Sequence, residues 1–145
     1  MDAELIKIQN IVDDRGLLTF SNDLSIEHFK RFYIVENHRI NFIRAWHGHL
    51  LESKVFIPLD GTFKIGVSHP DDWNKPNKDQ DPKTFILSSL DRKALLIPPG
   101  NYNGLQNLTP NNRLLVFSDK LLSESLADDY RLEFDFWNPW ETNFR

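Results

Sequence analysis

The sequence has 145 residues, a formal net charge of −4 at pH 7 and no cysteine, which fits one domain with its own core and excludes disulfides and thiolate metal sites. Lysine and arginine are scattered rather than clustered, which argues against nucleic acid as a partner. No apolar run is long enough to cross a membrane and no secretory signal opens the chain, so we expect a cytoplasmic protein with a single domain over residues 1–145.

Short apolar runs separated by turn residues recur along the chain. Runs of this length, bounded by Gly, Pro, Asn and Asp, are typical of β-strands. They predict strands over residues 5–11, 17–20, 29–35, 41–49, 54–59, 62–68, 84–87, 94–97 and 113–117. Many strands with little helix favour an all-β sandwich or barrel, whose mouth is the natural place for a small ligand.

The connections carry their own signals. Asp60-Gly61 is a strong turn signal, so the strands on either side of it are expected to form a hairpin. Residues 69–82 are rich in Pro, Asp, Asn and Lys and predict an exposed loop. Residues 123–129 predict a short helix begun by Ser123. The aromatic tail is expected to pack over the barrel as part of a C-terminal cap, residues 121–145.

The segment Arg44-Ala45-Trp46-His47-Gly48-His49 concentrates groups that can do chemistry. Side chains at positions i and i+2 of a strand share a face, so His47 and His49 are predicted to point into the same space. Imidazoles act as acids and bases near neutral pH. The alternative is one satisfied interior histidine and one solvated histidine at a strand end.

A wider pattern resembles the cupin superfamily: His47-x-His49, then Gly61, then Pro98-Pro99-Gly100. Metal-binding cupins add a carboxylate and a further histidine, and those positions fall here on Lys54 and Asn103. A charged lysine cannot bind a metal, and an amide is a poor ligand for a transition metal. We therefore predict no metal and no cofactor, and keep a metal-dependent cupin as an alternative. Lys54 could instead hold a nearby histidine neutral and stabilise an oxyanion, or be an ordinary solvated charge.

A closer resemblance extends from about Ile6 to Trp137. The motifs that carry it, in order, are Asp14-Arg15-Gly16, Lys30-Arg31-Phe32-Tyr33, Arg44 to His49, Pro98-Pro99-Gly100, Ser118-Asp119 and Asp129-Tyr130. Their order is similar to that of the dTDP-4-dehydrorhamnose 3,5-epimerases and dTDP-sugar 3,4-ketoisomerases. The resemblance implies a double-stranded β-helix of cupin or jelly-roll type, without metal. It also implies a homodimer that exchanges N-terminal strands, residues 4–12 here, and a dTDP-linked 4-keto-6-deoxy sugar in the barrel mouth.

The resemblance also implies roles for single residues. His47 falls on the epimerase base, and His47 with His49 falls on the ketoisomerase histidine pair. Lys54 falls on the epimerase lysine near the sugar. These three residues are the predicted catalytic set. The predicted substrate-binding set is Arg15, Arg44, Trp46, Tyr102, Asn103 and Lys120, with Arg15 and Arg44 on the phosphates. Strict alternation would place Arg44 and His47 on opposite faces, so a bulge is expected between them.

The departures from the epimerase pattern reduce the number of reactions that we expect the chain to catalyse. Lys120 and Leu121 stand where the epimerases have a tyrosine acid, and Asn103 lies where they have a histidine segment. The carboxylate that orients the base has no clear match, since Asp135 is only nearby in sequence. A single-centre epimerase or a ketoisomerase needs fewer parts. We therefore predict an isomerase that moves protons beside the 4-keto group in polysaccharide biosynthesis; the alternative is a barrel that binds sugar nucleotides without catalysis.

Overall fold

The computed structural model describes residues 2–142 of the chain. Within them it has twelve strands and one short helix. In chain order these are β1 (Glu4–Lys7), β2 (Gln9–Asp13), β3 (Gly16–Phe20), β4 (Arg31–Val35), β5 (Ile43–His49), β6 (Lys54–Asp60), β7 (Thr62–Ser68), β8 (Lys83–Ser88), β9 (Lys93–Ile97), β10 (Asn101–Asn107), β11 (Arg113–Ser118), α1 (Leu122–Leu126) and β12 (Tyr130–Arg131). The prediction of an all-β chain is confirmed. The described part of the chain contains no helix long and apolar enough to span a bilayer.

Two antiparallel five-stranded sheets pack against each other. One has the order β1-β9-β6-β11-β4 and the other β12-β5-β10-β7-β8. Both contribute side chains to one hydrophobic core, which includes Phe56, Phe63, Ile65, Leu95, Leu114 and Val116. The core fills the space between the sheets.

Strand β4 shows how alternation selects the residues that face the interior. Phe32 and Ile34 are exposed on the outer face, at 63% and 41%. Because neighbouring side chains of a strand point to opposite faces, Arg31, Tyr33 and Val35 face inward. Two polar residues of an edge strand therefore enter the barrel.

The turn at Asp60-Gly61 does not form the predicted hairpin. Strand β6 pairs with β9 and β11, whereas β7 pairs with β8 and β10, so the chain crosses from one sheet to the other at this turn. Gly61 has a φ of +78°, and a Cβ there would lie 2.2 Å from the Asn111 carbonyl oxygen. The turn signal was therefore correct, but the pairing inferred from it was wrong, because partners are decided by the packing of the two sheets.

Strand β10 lies in the centre of the second sheet, although its sequence, NYNGLQN, predicted no strand. Asparagine and glycine are disfavoured in strands. All seven residues are nevertheless buried, because β5 and β7 pair with the strand on its two sides. Tertiary packing overrides local propensity here.

Buried polar side chains in β10 find partners within the barrel. The Asn107 amide nitrogen donates to the carbonyl oxygens of Arg39 and Thr109, at 2.9 and 3.0 Å. Its oxygen accepts from Asn37 Nδ2 and from the Phe42 backbone, at 2.9 and 3.2 Å. One fully buried side chain thus joins two connecting segments, the one between β4 and β5 and the one between β10 and β11.

Two element boundaries, one near each end of the chain, differ from the sequence expectations. Strand β1 pairs with β9 of the same chain, and β2 and β3 form a separate hairpin, so residues 5–11 are not one strand. Helix α1 begins at Leu122, one residue before the predicted start, so Ser123 is not its cap. The Leu121 backbone N–H instead donates to Glu124 Oε1 at 2.9 Å.

Replacing Asn107 with leucine should lower the free energy of unfolding by about 3 kcal/mol, because buried donors and acceptors would lose their partners. Asn74→Leu, in the exposed loop, should change it by less than about 0.5 kcal/mol. Urea unfolding followed by fluorescence measures both. Equal effects of the two substitutions would contradict the importance assigned to the buried amide.

Candidate active site

A cavity of about 340 Å³ opens at the barrel end where β5 finishes and β6 begins. Its apolar part includes Phe56, Leu105 and Val116. Its polar lining is Arg31, Tyr33, Arg44, His47, His49, Lys54, Asn103, Ser125, Asp129 and Arg131. The structure thus brings together the three predicted catalytic residues, His47, His49 and Lys54, and two of the predicted substrate-binding residues, Arg44 and Asn103.

A β-bulge in β5 places Arg44 and His47 in the same cavity. Asn103 of β10 pairs with His47, but Leu105 pairs with Arg44, so three steps along β5 match two along β10. An extra residue on one strand shifts the alternation of side chains after it. The predicted bulge is confirmed, and it is the reason that a cation and the histidine pair share one space.

His49 is held by the segment that follows α1. Its Nδ1 lies 2.7 Å from the Asp128 carbonyl oxygen, which can only accept, so Nδ1 carries the proton. The neutral ring therefore keeps its lone pair on Nε2. Burial and, after it, the charge of Lys54 lower the pKa of His49, which keeps the ring available as a base near neutral pH.

A buried carboxylate, that of Glu52, lies next to the His49 ring. Glu52 Oε2 is 3.2 Å from His49 Nε2 and 3.6 Å from Lys54 Nζ. Glu52 Oε1 accepts from Ser118 Oγ at 2.8 Å and from Arg31 Nη2 at 3.4 Å. Burial raises the pKa of Glu52, but the Lys54 ammonium, followed by the Ser118 hydroxyl, the His49 ring and the Ser125 hydroxyl, lowers it below the ordinary value, so the carboxylate is ionised.

His47 differs from His49 in its electrostatic surroundings. Burial, followed by the charges of Arg131 and Lys54, lowers the pKa of His47 to about 4. The His47 ring is therefore neutral at pH 7, with one nitrogen that donates and one that accepts. Such a ring can pass a proton between two adjacent oxygen atoms.

The guanidinium groups of the cavity each donate a hydrogen bond to a neighbouring residue. Arg44 Nε donates to Asn37 Oδ1 at 2.6 Å, and Arg131 Nε donates to Asp129 Oδ2 at 3.1 Å. Arg31 Nε donates to the Lys120 carbonyl oxygen at 3.0 Å. Guanidinium groups held in this way suit the phosphates of a nucleotide.

Four predicted substrate-binding residues lie outside the cavity lining. Trp46 is fully buried on the other face of β5, where its indole donates to the Trp137 carbonyl oxygen at 2.9 Å. Tyr102 stacks on Trp73 with ring centroids 4.5 Å apart. Arg15 lies on the turn between β2 and β3, paired with Asp13. Lys120 contributes its backbone carbonyl to Arg31.

Sequence reasoning did not select Tyr33, Arg131 or Glu52. Tyr33 lies under two cations, with Arg31 Cζ 5.3 Å and Lys54 Nζ 5.9 Å from the ring centroid. Alternation along β4 gave the signal for Tyr33 and Arg31, but not which face was the inner one. Arg131 enters through β12, whose pairing with His47 and Gly48 has no local signal.

Within residues 2–142, no group of three or more His, Asp or Glu side chains is arranged to hold a metal ion. Lys54 and Asn103 occupy the cavity beside the two histidines. The two positions that complete the metal site of metal-binding cupins therefore carry an ammonium, from Lys54, and an amide, from Asn103.

Comparisons with known proteins agree on one family. The family model described as FdtA: WxcM-like, C-terminal matches residues 1–138. A solved 3,4-ketoisomerase, QdtA from Thermoanaerobacterium thermosaccharolyticum, as a double variant in complex with TDP, is 28% identical, with 92% of this chain and 89% of that chain covered and a TM-score of 0.71. No curated protein matches the chain.

Two further solved structures are similar in fold. A 3,4-ketoisomerase from Helicobacter canadensis is 24% identical, covering 94% of this chain and 95% of that chain with a TM-score of 0.70. The dTDP-4-dehydrorhamnose 3,5-epimerase of Bacillus anthracis is 20% identical, covering 99% and 87% with a TM-score of 0.79. These likenesses confirm the predicted cupin-type double-stranded β-helix.

The depressed pKa of His47 makes stability depend on pH. Its ordinary pKa is near 6.5 and its folded pKa is about 4, so the unfolded chain binds the proton more readily between these values. The contribution is full above pH 6.5 and is lost as the pH falls towards 4. It amounts to about 2 kcal/mol after allowance for partial exposure. Urea midpoints at pH 7.5 and 4.5 should therefore differ less for His47→Gln than for the wild type, whereas the exposed His28→Gln should match the wild type.

Proposed function

The chain belongs to the WxcM-like, C-terminal (FdtA) family, and on this premise we propose that it is a dTDP-sugar 3,4-ketoisomerase acting on a 4-keto-6-deoxyhexose. The predicted resemblance to these isomerases is confirmed by the family match. The observation that carries the proposal is the pair His47 and His49 beside Lys54 in one cavity. It is supported by the likeness to QdtA, a 3,4-ketoisomerase that was solved with TDP bound.

The cavity lining offers groups for both the charged and the reacting parts of such a ligand. Arg44 and Arg131 supply guanidinium groups for the diphosphate. His49, Lys54 and Asn103, from the same lining, would give the sugar a base, a cation and an amide. A diphosphate between the arginines would fix the sugar ring over His49, which lowers the entropy cost of reaching the reactive geometry.

The reaction can be written with the residues of the cavity. His49 Nε2 takes the proton from C3, which the neighbouring ketone makes acidic, and a C3–C4 double bond forms while O4 becomes an oxyanion. Lys54 stabilises that charge. Neutral His47 passes the O3 hydroxyl proton to O4. Protonated His49 then delivers its proton to C4, which leaves the carbonyl at C3 and a hydroxyl at C4.

Tyr33 lines the same cavity, so its phenol would be a further hydrogen-bonding group for these oxygen atoms. The epimerases have a tyrosine acid after the position of Asp119, where this chain has Lys120, whereas the phenol of this cavity comes from another strand, β4. A phenol donates one proton and accepts another hydrogen bond, so it can hold the sugar hydroxyl in line with His47. We assign it this orienting role.

Incubation with dTDP-4-keto-6-deoxyglucose in heavy water tests the proposal. The C3 proton signal should disappear while a carbonyl carbon appears at C3 in NMR spectra, because the ketone has moved. His49→Asn should slow this conversion by about 1000-fold, since an amide is not a base. His28→Asn, which alters an exposed histidine, should convert at the wild-type rate.

Other outcomes of this experiment separate the alternatives. Deuterium at C5 with the carbonyl still at C4 would indicate an epimerase. Broadened ligand signals without any conversion would indicate a barrel that binds but does not catalyse. A wild-type rate for His49→Asn would contradict the role given to that residue.

A homodimer is the second part of the proposal. The β2–β3 hairpin exposes Ile11, Val12, Leu17 and Leu18. A cluster of exposed apolar side chains on a protruding hairpin is typical of a protein interface. Arg15 lies on the same hairpin and away from the cavity, so it could reach a ligand only in the cavity of a second copy.

Val12→Asp should shift the protein from dimer to monomer in sedimentation velocity, because a charge would be buried at the interface. Leu90→Asp is the control, since Leu90 is even more exposed than Val12 but lies on the turn between β8 and β9. A wild-type protein that sediments as a monomer at micromolar concentration would contradict the proposal. A cytoplasmic location and a place in polysaccharide biosynthesis remain predictions.

A further inference from the structure

One carboxylate oxygen near the cavity has no hydrogen-bond donor in the described part of the chain. Glu52 Oε2 is buried, and the side chain as a whole is fully inaccessible. Its partner oxygen Oε1 is satisfied by Ser118. Burying an ionised oxygen that accepts no hydrogen bond is costly, and the nearest ammonium, Lys54 Nζ, is 3.6 Å away, so this oxygen beside two functional residues needs an explanation.

The tautomer of His49 makes the surroundings of Glu52 Oε2 less favourable still. Because Nδ1 donates to the Asp128 carbonyl, the neutral ring has only a lone pair on Nε2. That atom lies 3.2 Å from Glu52 Oε2, so two electron-rich atoms approach each other without a proton between them. The arrangement is unfavourable with His49 neutral and favourable once Nε2 is protonated.

We propose that Glu52 is a positioning residue for proton transfer: its carboxylate stabilises the imidazolium formed when His49 accepts the substrate proton, and it holds Lys54 beside the reacting oxygen. This inference rests on the proposed function. Glu52 itself gains and loses no proton, since the proton moves from C3 to His49 Nε2 and from there to C4. The carboxylate acts only through His49 and Lys54.

Lys54 allows the Glu52 carboxylate to be stabilised in both protonation states of His49. Its ammonium, 3.6 Å from Glu52 Oε2, offsets the carboxylate charge while His49 is neutral. When the ring becomes charged, Lys54 and His49 compete for Glu52, and the ammonium is freer to bind the oxyanion that forms at O4. One carboxylate therefore couples the positive charge of the base to the negative charge of the intermediate.

Several charged groups face this cluster and contribute to its titration. From β4 comes Arg31, which binds Glu52 Oε1. The β5 neighbour is His47, β6 provides Lys54, and the segment after α1 provides Asp128. Burial lowers the pKa of His49, Lys54 lowers it further, and Glu52 opposes both. Removing only the Glu52 charge should therefore lower the pKa of His49.

Glu52→Gln tests the proposal with the least structural change, because the amide oxygen can still accept from Ser118. We expect kcat to fall about 100-fold with little change in KM. The acid limb of the kcat/KM profile should move down by about one pH unit, as should the His49 titration followed by 15N NMR of the free protein. Glu52→Asp should recover part of kcat. Glu27→Gln, at an exposed glutamate, should behave as the wild type.

The readouts distinguish the two proposals. If the wild type converts no dTDP-4-keto-6-deoxyglucose, the proposed function fails, while the His49 titration of Glu52→Gln still decides the coupling. An unchanged His49 titration overturns the inference, whether activity is retained or lost, because a loss would then reflect structure alone. A shifted titration together with wild-type kcat also overturns it, since the stabilisation would not serve the reaction.

Discussion

The attachment of Asp128 to the end of β5 fixes the geometry on which the site depends. Its carboxylate accepts the backbone N–H groups of Leu50, Leu51 and Glu52, at 2.9, 2.8 and 3.1 Å. Its carbonyl oxygen accepts the His49 ring proton. One residue therefore turns the chain after β5, selects the tautomer of the base and sets Glu52 below it.

Strands of the barrel place several positively charged side chains around the Asp128 anchor. Arg31, Lys54 and Arg131 come from three strands and face a cavity that already contains two histidines. Cations near an imidazole keep it neutral, and a neutral imidazole is a base or a relay rather than a fixed charge. The buried carboxylate of Glu52 limits the mutual repulsion of the cations. The cavity thus presents positive charge to a diphosphate, and the buried Glu52 carboxylate offsets part of that charge.

Local sequence signals succeeded where one strand or one turn sufficed. Alternation placed His47 and His49 on one face, and the break in alternation required the bulge that admits Arg44. The turn at Gly61 was also marked in the sequence. Its strands nevertheless joined different sheets, and β10 formed from residues that disfavour strands, because burial between two neighbours outweighs propensity.

By itself, the sequence determined the all-β class, the histidine pair with Lys54, the family and the absence of a full set of metal ligands at the cupin positions. Those features depend on residue type and short spacing. Only the tertiary structure decided that Trp46 and Tyr102 face away from the cavity, and that Tyr33, Glu52 and Arg131 belong to the site. These residues lie far apart along the chain, and their proximity follows from sheet pairing and from the Asp128 anchor, neither of which leaves a local pattern.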